Sequence, residues 1–548
     1  MSLLLFAILA LAALATAIAQ SLLSRIWREW SLRKIPGPPR ASLITGNFAQ
    51  FFRPDAAPFQ DSLFAQYGPL HRLNGFFGAQ ILVTSDPGAL HHIIVKRVDV
   101  FDTVDYFLKL TGVILGRGLI STPMKGDVHH KHRKLMNPAF SLGHIKLLTP
   151  VFNSVSKQVR EVMAADIKRT GRTETDVLEM TGRAALELVA QGGFGHSLNA
   201  LDGKPIALTI ALKRFFSTSA KLFKFRPILP ILMRTFPPWL LRRAGEMIPF
   251  PALHDMFAIS DTLHQFATEI WTEKKQAHAE GKLYSSAEMG KGRDVLSLLL
   301  EENNKSAAED RLPENELVAQ VNTFLLAGTD TTATALARML HLLALHPEAQ
   351  HKLREELVEA GTPNVDLQFD TLDRLPYLEA VCRETLRLFP PVRFVQRQAR
   401  QDHVLPLRQP VNDVEGKTVT EIFIPKGGII MCSIVGVNCS EAIWGADARE
   451  WKPERWLKPL PQAVLDAHIP GVYANMLTFS GGARSCIGFK FSLLEQKCML
   501  AQFIPSFEFE PSEEHQVSWW FGNISGPVVE DAKTKSHQAG MPLRVRCI

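Results

Sequence analysis

Hydrophobic and polar positions follow three regimes along this chain, and the first is an unbroken apolar run. Residues 2–23 (SLLLFAILALAALATAIAQSLL) carry no charged side chain, and roughly 22 residues at about 1.5 Å each cover about 33 Å, enough for a bilayer core. Arg25, Arg28, Arg33 and Lys34 follow at once. This predicts an N-terminal transmembrane helix over 1–24 with the rest of the protein on the cytosolic side. A cleaved signal peptide is the rival, since Ala17-Ile18-Ala19 has the form of a cleavage site. Against it, no basic residue precedes the run. Ile35-Pro36-Gly37-Pro38-Pro39 cannot be helical and ends a basic, proline-rich linker over 25–40. Residues 41–548 form the body.

Period-two alternation marks the second regime. Leu70 and Ile81–Val83, punctuated by Gly75, Gly78 and Gly88, predict strands between Tyr67 and Asp86, and residues 505–548 predict a β-rich tail. Helical periodicity dominates the remainder. Amphipathic helices are expected within 150–200 and 255–280. A long helix should run from Pro313 to just before His346-Pro347, and another should follow Arg374-Leu375-Pro376-Tyr377 up to Phe389-Pro390-Pro391. Two stretches fit none of these patterns. Residues 99–125 read as a long loop rich in apolar groups, and loops of that length are usually functional. Residues 222–251 are apolar but broken by six prolines, which excludes a membrane span of normal length. A buried irregular core would strand backbone polar groups, so a surface segment dipping into a lipid interface is expected there. The fold class is mainly α with small β-sheets.

Composition narrows the function. Apolar residues at 46% and charged residues at 21% describe a globular body rather than a disordered chain. The six cysteines (382, 432, 439, 486, 498, 547) show neither C-x-x-C nor zinc spacing, which argues against a disulfide framework and suits a reducing compartment. The net charge of +6 fits attraction to anionic lipid or an acidic partner, and no basic run reads as nucleic-acid binding.

The candidate chemistry centres on Phe479-Ser480-Gly481-Gly482-Ala483-Arg484-Ser485-Cys486-Ile487-Gly488. A lone cysteine is usually a small buried hydrophobe. Here glycines allow close backbone approach to the sulfur, and Arg484 places a cation nearby. Other signals are weaker alone. His129 and Arg133 share a helix face. Ala327-Gly328-Thr329-Asp330-Thr331-Thr332 puts poor helix formers in mid-helix, as a packing notch or a functional site would. Glu384 and Arg387 form an i, i+3 pair, and Pro453-Glu454-Arg455-Trp456 follows about seventy residues on.

Taken in order, these elements resemble the cytochrome P450 superfamily over about 500 residues. The resemblance implies haem b with Cys486 as axial thiolate, and Phe479 and Arg484 in the haem-binding loop. It assigns His129, Arg133 and Arg397 to the haem propionates, His129 standing where the family usually has tryptophan. It makes Asp330 and Thr331 the proton relay of an oxygen-binding groove, and Glu384, Arg387 and Arg455 a buried structural network. Residues 99–125 would overhang the haem pocket, and the turn at Asn523-Ile524-Ser525 would point into it. The implied activity is a haem-thiolate monooxygenase inserting one atom of O2 into a lipophilic molecule. No flavin or dinucleotide segment is present, so electrons would come from NADPH through a separate reductase, steered to Lys131, Lys134 and Lys490. A haem-thiolate isomerase or dehydratase needing no reductase, and a haem-binding protein without turnover, are the alternatives. The H-x-x-x-R element and the N-P-A-F-S ending resemble fungal secondary-metabolism members, pointing to a terpenoid, with Arg393 a candidate for a substrate carboxylate. The expected setting is the endoplasmic reticulum membrane, single-pass, with a cytosolic catalytic domain. Asn438 and Asn523 begin formal glycosylation acceptors, expected to stay unmodified there.

Overall fold

A computed structural model describes residues 32–171, 174–203, 207–222, 228–280, 294–522, 524–530 and 536–548, with Thr16 and Phe225. The expected transmembrane helix over 1–24 lies outside the described residues apart from Thr16. Among the described residues no helix is long and apolar enough to cross a membrane.

Among the described residues the architecture is mainly helical with four small sheets. Its axis is the helix Glu314–Leu345, with Pro313 as N-cap. Both of its ends lie within a residue of the sequence expectation, because Pro313 and Pro347 set them chemically. The helix is buried along most faces, so its apolar positions show no single stripe. Packed around it are Val177–Leu188, Pro251–Ala279 and the helix after the cysteine, Phe489–Phe503, which also lies on Leu142–Thr170.

The largest sheet has the order Leu70–Asn74, Gln80–Thr84, Ile429–Ser433, Phe394–Ala399, Phe101–Thr103. Gln80–Thr84 pairs in parallel with Ile429–Ser433, Leu82 opposite Ile430, and the other pairings are antiparallel. Leu70, Leu82, Phe101 and Ile430 build a second core beside the helical one. The tail after Ser506 forms strands as expected.

Two expectations change. Residues 99–125 are not one loop: they contain a short strand, the helix Asp105–Leu115 and a turn of 3-10 helix. Their weak periodicity reflects a helix that packs inward on some residues and borders a cavity on others. The stretch from Leu32 to Pro39 is also docked rather than free. Leu32 and Ile35 are buried, the Arg72 N–H donates to the Pro36 carbonyl at 2.8 Å, and Asn47 and Asn74 donate to Pro39 and Pro38.

Candidate functional site

A cavity of about 1310 Å³ lies beside the central helix. Cys486 forms part of its wall and is the only one of the six cysteines to do so. Cys382, Cys432, Cys439 and Cys498 are buried in the core, where loss of solvent pushes the thiols up, to about 12 for Cys382 and about 11 for Cys432 and Cys439. Burial raises Cys486 as well, but a Gly488 backbone hydrogen bond and the Arg133 charge act in the opposite direction. The Cys486 N–H donates to the Phe479 carbonyl at 2.8 Å, closing the loop.

Gly488 brings its backbone to the sulfur as expected, and the other loop glycines serve a further purpose. A Cβ on Gly481 would stand 1.6 Å from the Pro470 carbonyl oxygen. One on Gly482, at φ +60°, would stand 2.2 Å from that of Ile94. They let the loop press against neighbouring backbone, which fixes where the sulfur points. The cation whose charge acts on the Cys486 thiol is Arg133, not Arg484.

Arg133 clamps the loop, donating to the Ser485 carbonyl at 2.6 Å, to that of Ala483 at 3.2 Å and to the Ser485 hydroxyl at 2.9 Å. Arg484 instead binds the buried Asp102 at 2.7 Å and the Thr122 carbonyl at 2.7 Å. Arg397 is buried and donates to the Gln396 carbonyl at 3.1 Å, with no carboxylate partner among the described residues. His129 is 2% exposed, and burial with the charges of Arg484 and Arg133 lowers it to about 3. It is therefore a neutral imidazole that can donate one N–H. His129, Arg133, Arg397, Phe479 and Arg484 all border the same cavity.

On the central helix Thr331 borders the cavity, with Ala327, Gly328 and Ala335 on the same face. Its hydroxyl donates to the Ala327 carbonyl at 2.7 Å, a bond that competes with the helix ladder. Asp330 does not border the cavity; burial raises its carboxyl to about 7. Gly328 is a packing notch as well as a cavity residue, because a Cβ there would meet Val189 at 2.8 Å.

Glu384, Arg387 and Arg455 assemble apart from the cavity as one buried network. Both side chains of the Glu384–Arg387 pair are 0% exposed. Glu384 accepts from Arg387 at 2.8 Å through two nitrogens, from Arg455 at 3.2 Å and from the Trp456 indole at 2.9 Å. Trp456 thus adds a hydrogen bond that phenylalanine lacks. Arg387 also donates to the Asn438 and Ala448 carbonyls.

One expectation fails on geometry. Arg393 turns away from the large cavity and donates to Gln60 at 3.0 Å and Asp61 at 3.4 Å. Lys134 lies toward solvent as expected, though it pairs with Asp310 at 2.9 Å, and Lys131 donates to the Glu309 carbonyl. Asn438 is buried and donates to Arg387 and Thr478, so no glycan could reach it in any compartment. Asn523 lies outside the described residues, while Ile524 borders the cavity. Sequence reasoning missed Asp102, Ser485 and the Tyr106–Gln396 hydrogen bond. Their partners lie hundreds of positions away, so no local signal marks them.

One cavity-facing cysteine, a cluster of arginines with little opposing negative charge and a helix notch define a haem-thiolate site. The residues fit the group: the cavity places its sulfur on one wall, and the arginines and His129 offer donors to two propionates. The chain belongs to the cytochrome P450 family. A family model described as Cytochrome P450 matches residues 36–519. Cytochrome P450 monooxygenase 91 of Postia placenta is 42% identical over 529 residues, 96% of each chain. Cytochrome P450 monooxygenase 81 from the same fungus is 41% identical over 97% of each. Ganoderic acid synthetase CYP5150L8 of Ganoderma lucidum is 36% identical over 94% of each. The protein is a cytochrome P450 monooxygenase whose cofactor is haem with a cysteine-ligated iron.

Proposed function

We propose that this enzyme oxidises a large lipophilic molecule of the terpenoid class, taking electrons from NADPH through a separate flavoprotein reductase. The observation that carries the substrate reading is the cavity. Its volume of about 1310 Å³ is shared between the haem and the substrate, since Cys486, Arg133, Arg397 and Arg484 all border it, and the rest of its lining is dominated by Phe, Leu, Ile and Val, as a lipophilic ligand requires. The relative named as a ganoderic acid synthetase points the same way.

The substrate enters past residues 228–250, which form two short helices, Leu229–Thr235 and Pro238–Met247. Trp239 (68%) and Met247 (82%) are exposed, while Leu232, Phe236 and Leu241 border the cavity. One apolar face toward a lipid interface and another toward the cavity give a dissolved lipid a continuous path. This agrees with a single-pass anchor over 1–24 in the endoplasmic reticulum membrane and a cytosolic body.

Cys486 would hold the iron, and Arg133, Arg397, Arg484 and His129 would hold the propionates. When bound, the haem supplies dioxygen activation, with one oxygen atom going to the substrate and the other leaving as water. The protein's own task is to orient the substrate and deliver protons. Thr331 holds a proton at its hydroxyl on the cavity face. Asp330, with a carboxyl near 7, carries a replacement proton at neutral pH. The reductase would approach the helix Val128–Met136 near the cysteine loop, where Lys134 is exposed though paired with Asp310, and electrostatic steering there would chiefly raise the on-rate.

The test is a panel of terpenoids, sterols and fatty acids against purified holoenzyme, read as a spin-state shift of the haem band. NADPH-driven product formation with and without reductase completes it. Terpenoid binding with reductase-dependent product is expected. Turnover without reductase, or a response to fatty acids alone, would overturn the proposal.

A further inference from the structure

Two turns beyond Thr331, the central helix carries a buried cation that the monooxygenase reaction does not use. The Arg338 guanidinium carbon lies 3.3 Å from the centre of the Trp519 ring and 4.2 Å from that of Phe389. Its Nε is buried without a hydrogen-bond partner. Beside it is a separate cavity of about 20 Å³, bordered also by Arg393, Thr334 and Ser525. No carboxylate borders that cavity among the described residues. The nearest acidic partner, Asp61, is shared between Arg393 at 3.4 Å and Arg449 at 3.2 Å. Two arginines therefore border one small space together with Thr334 and Ser525 and, among the described residues, no carboxylate.

A buried charge is expected to be paired, and stacking on aromatic rings offsets only part of its lost hydration. Burial and the charge of Arg393 both act against the Arg338 cation, which an anion would relieve. His341 adds no positive charge near neutral pH: burial lowers it to about 4, and its Nδ1 accepts from the Trp519 indole at 2.9 Å. Size selects the ligand. Twenty cubic ångströms admits one water-sized particle, so a monatomic anion fits and phosphate or a carboxylate does not. We propose that the cavity between Arg338 and Arg393 is a structural halide site, filled by chloride under ordinary conditions.

Its position gives the ion a task. Arg338 and Thr334 belong to the central helix, Arg393 to the segment entering the strand Phe394–Ala399, and Ser525 to the start of the tail strand Ser525–Glu530. The adjoining residues Ala335, Val392 and Ile524 border the substrate cavity. A bound anion would tie three walls of that cavity together from behind.

Bromide-soaked crystals of the haem-loaded enzyme test the site directly. An anomalous peak within hydrogen-bond distance of the Arg338 guanidinium is expected. In solution, the holoenzyme is melted in chloride and in gluconate, which the cavity excludes, at equal ionic strength. Chloride at tenfold over its dissociation constant should raise the midpoint by about 1 °C for a chain of this length. Arg338→Leu should abolish the difference, and Thr334→Val should weaken it should the first variant fail to fold. Ordinary water density with no anomalous peak, or equal melting of the wild-type enzyme in both salts, would overturn the proposal.

Discussion

At the scale of single residues, the reactive positions differ from their neighbours in environment rather than type. Thr331 and Thr332 are adjacent threonines, yet the first donates to the carbonyl one turn back on the cavity face and the second bonds to Ser492 at 3.2 Å. Thr331→Ala should leave haem content and substrate binding intact but divert NADPH electrons to peroxide, while Thr332→Ala should keep coupling close to normal. Peroxide yield per NADPH distinguishes the two. Asp330 offers a pH test. Its carboxyl is raised by burial from the usual 3.8 to about 7, so the folded state holds this proton more tightly than the unfolded chain. The resulting stability is present in full below the unfolded value and is lost as pH rises through about 7. Asp330→Asn should therefore flatten the fall in stability between pH 4 and 7, measured by urea unfolding of the holoenzyme.

At the scale of elements, the central helix tolerates its weakest residue because that residue admits a neighbour. A methyl on Gly328 would meet the Val189 Cγ2 at 2.8 Å. Overpacking of this kind costs about 1–3 kcal/mol, against a propensity gain of about 1 kcal/mol for Ala over Gly. Gly328→Ala should destabilise the enzyme, and adding Val189→Ala should recover most of the loss through a coupling of about 0.5–3 kcal/mol. Urea midpoints of the single and double variants check this. Equal midpoints for Gly328→Ala and the double variant would show that the notch is not set by Val189. The glycines of the cysteine loop follow the same logic: Gly481 and Gly482 make room for Pro470 and Ile94, and the sulfur's position is a consequence.

At the scale of the whole molecule, stability depends on charges far from the chemistry. Glu384 joins the helix Pro376–Leu388 to the segment Pro453–Leu457, and Arg387 extends that link to the Asn438 and Ala448 carbonyls. Removing one partner strands the other without water, which costs about 3–5 kcal/mol for a buried pair. Glu384→Gln should therefore reduce the yield of haem-containing enzyme severely. Trp456→Phe should lose only the indole bond to Glu384, about 1.5–3 kcal/mol for a hydrogen bond to a charged group, and retain haem. Haem content per protein, together with the thermal midpoint, separates the two.

The chain by itself determined its helices where punctuation is chemical, as at Pro313 and Pro347, and it marked Cys486 through a motif whose members are close in sequence. It also placed the strands of the tail. Tertiary structure alone decided which arginine's charge acts on the cysteine thiol, since Arg484 pairs with Asp102 across a separation of 382 positions. It decided that Arg393 borders the small second cavity rather than the large one, that Asn438 is buried, and that residues 99–125 contain a helix. The physical reason is common to all four. Local propensity and spacing act over a few residues, whereas burial and ion pairing depend on which distant segments folding brings into contact.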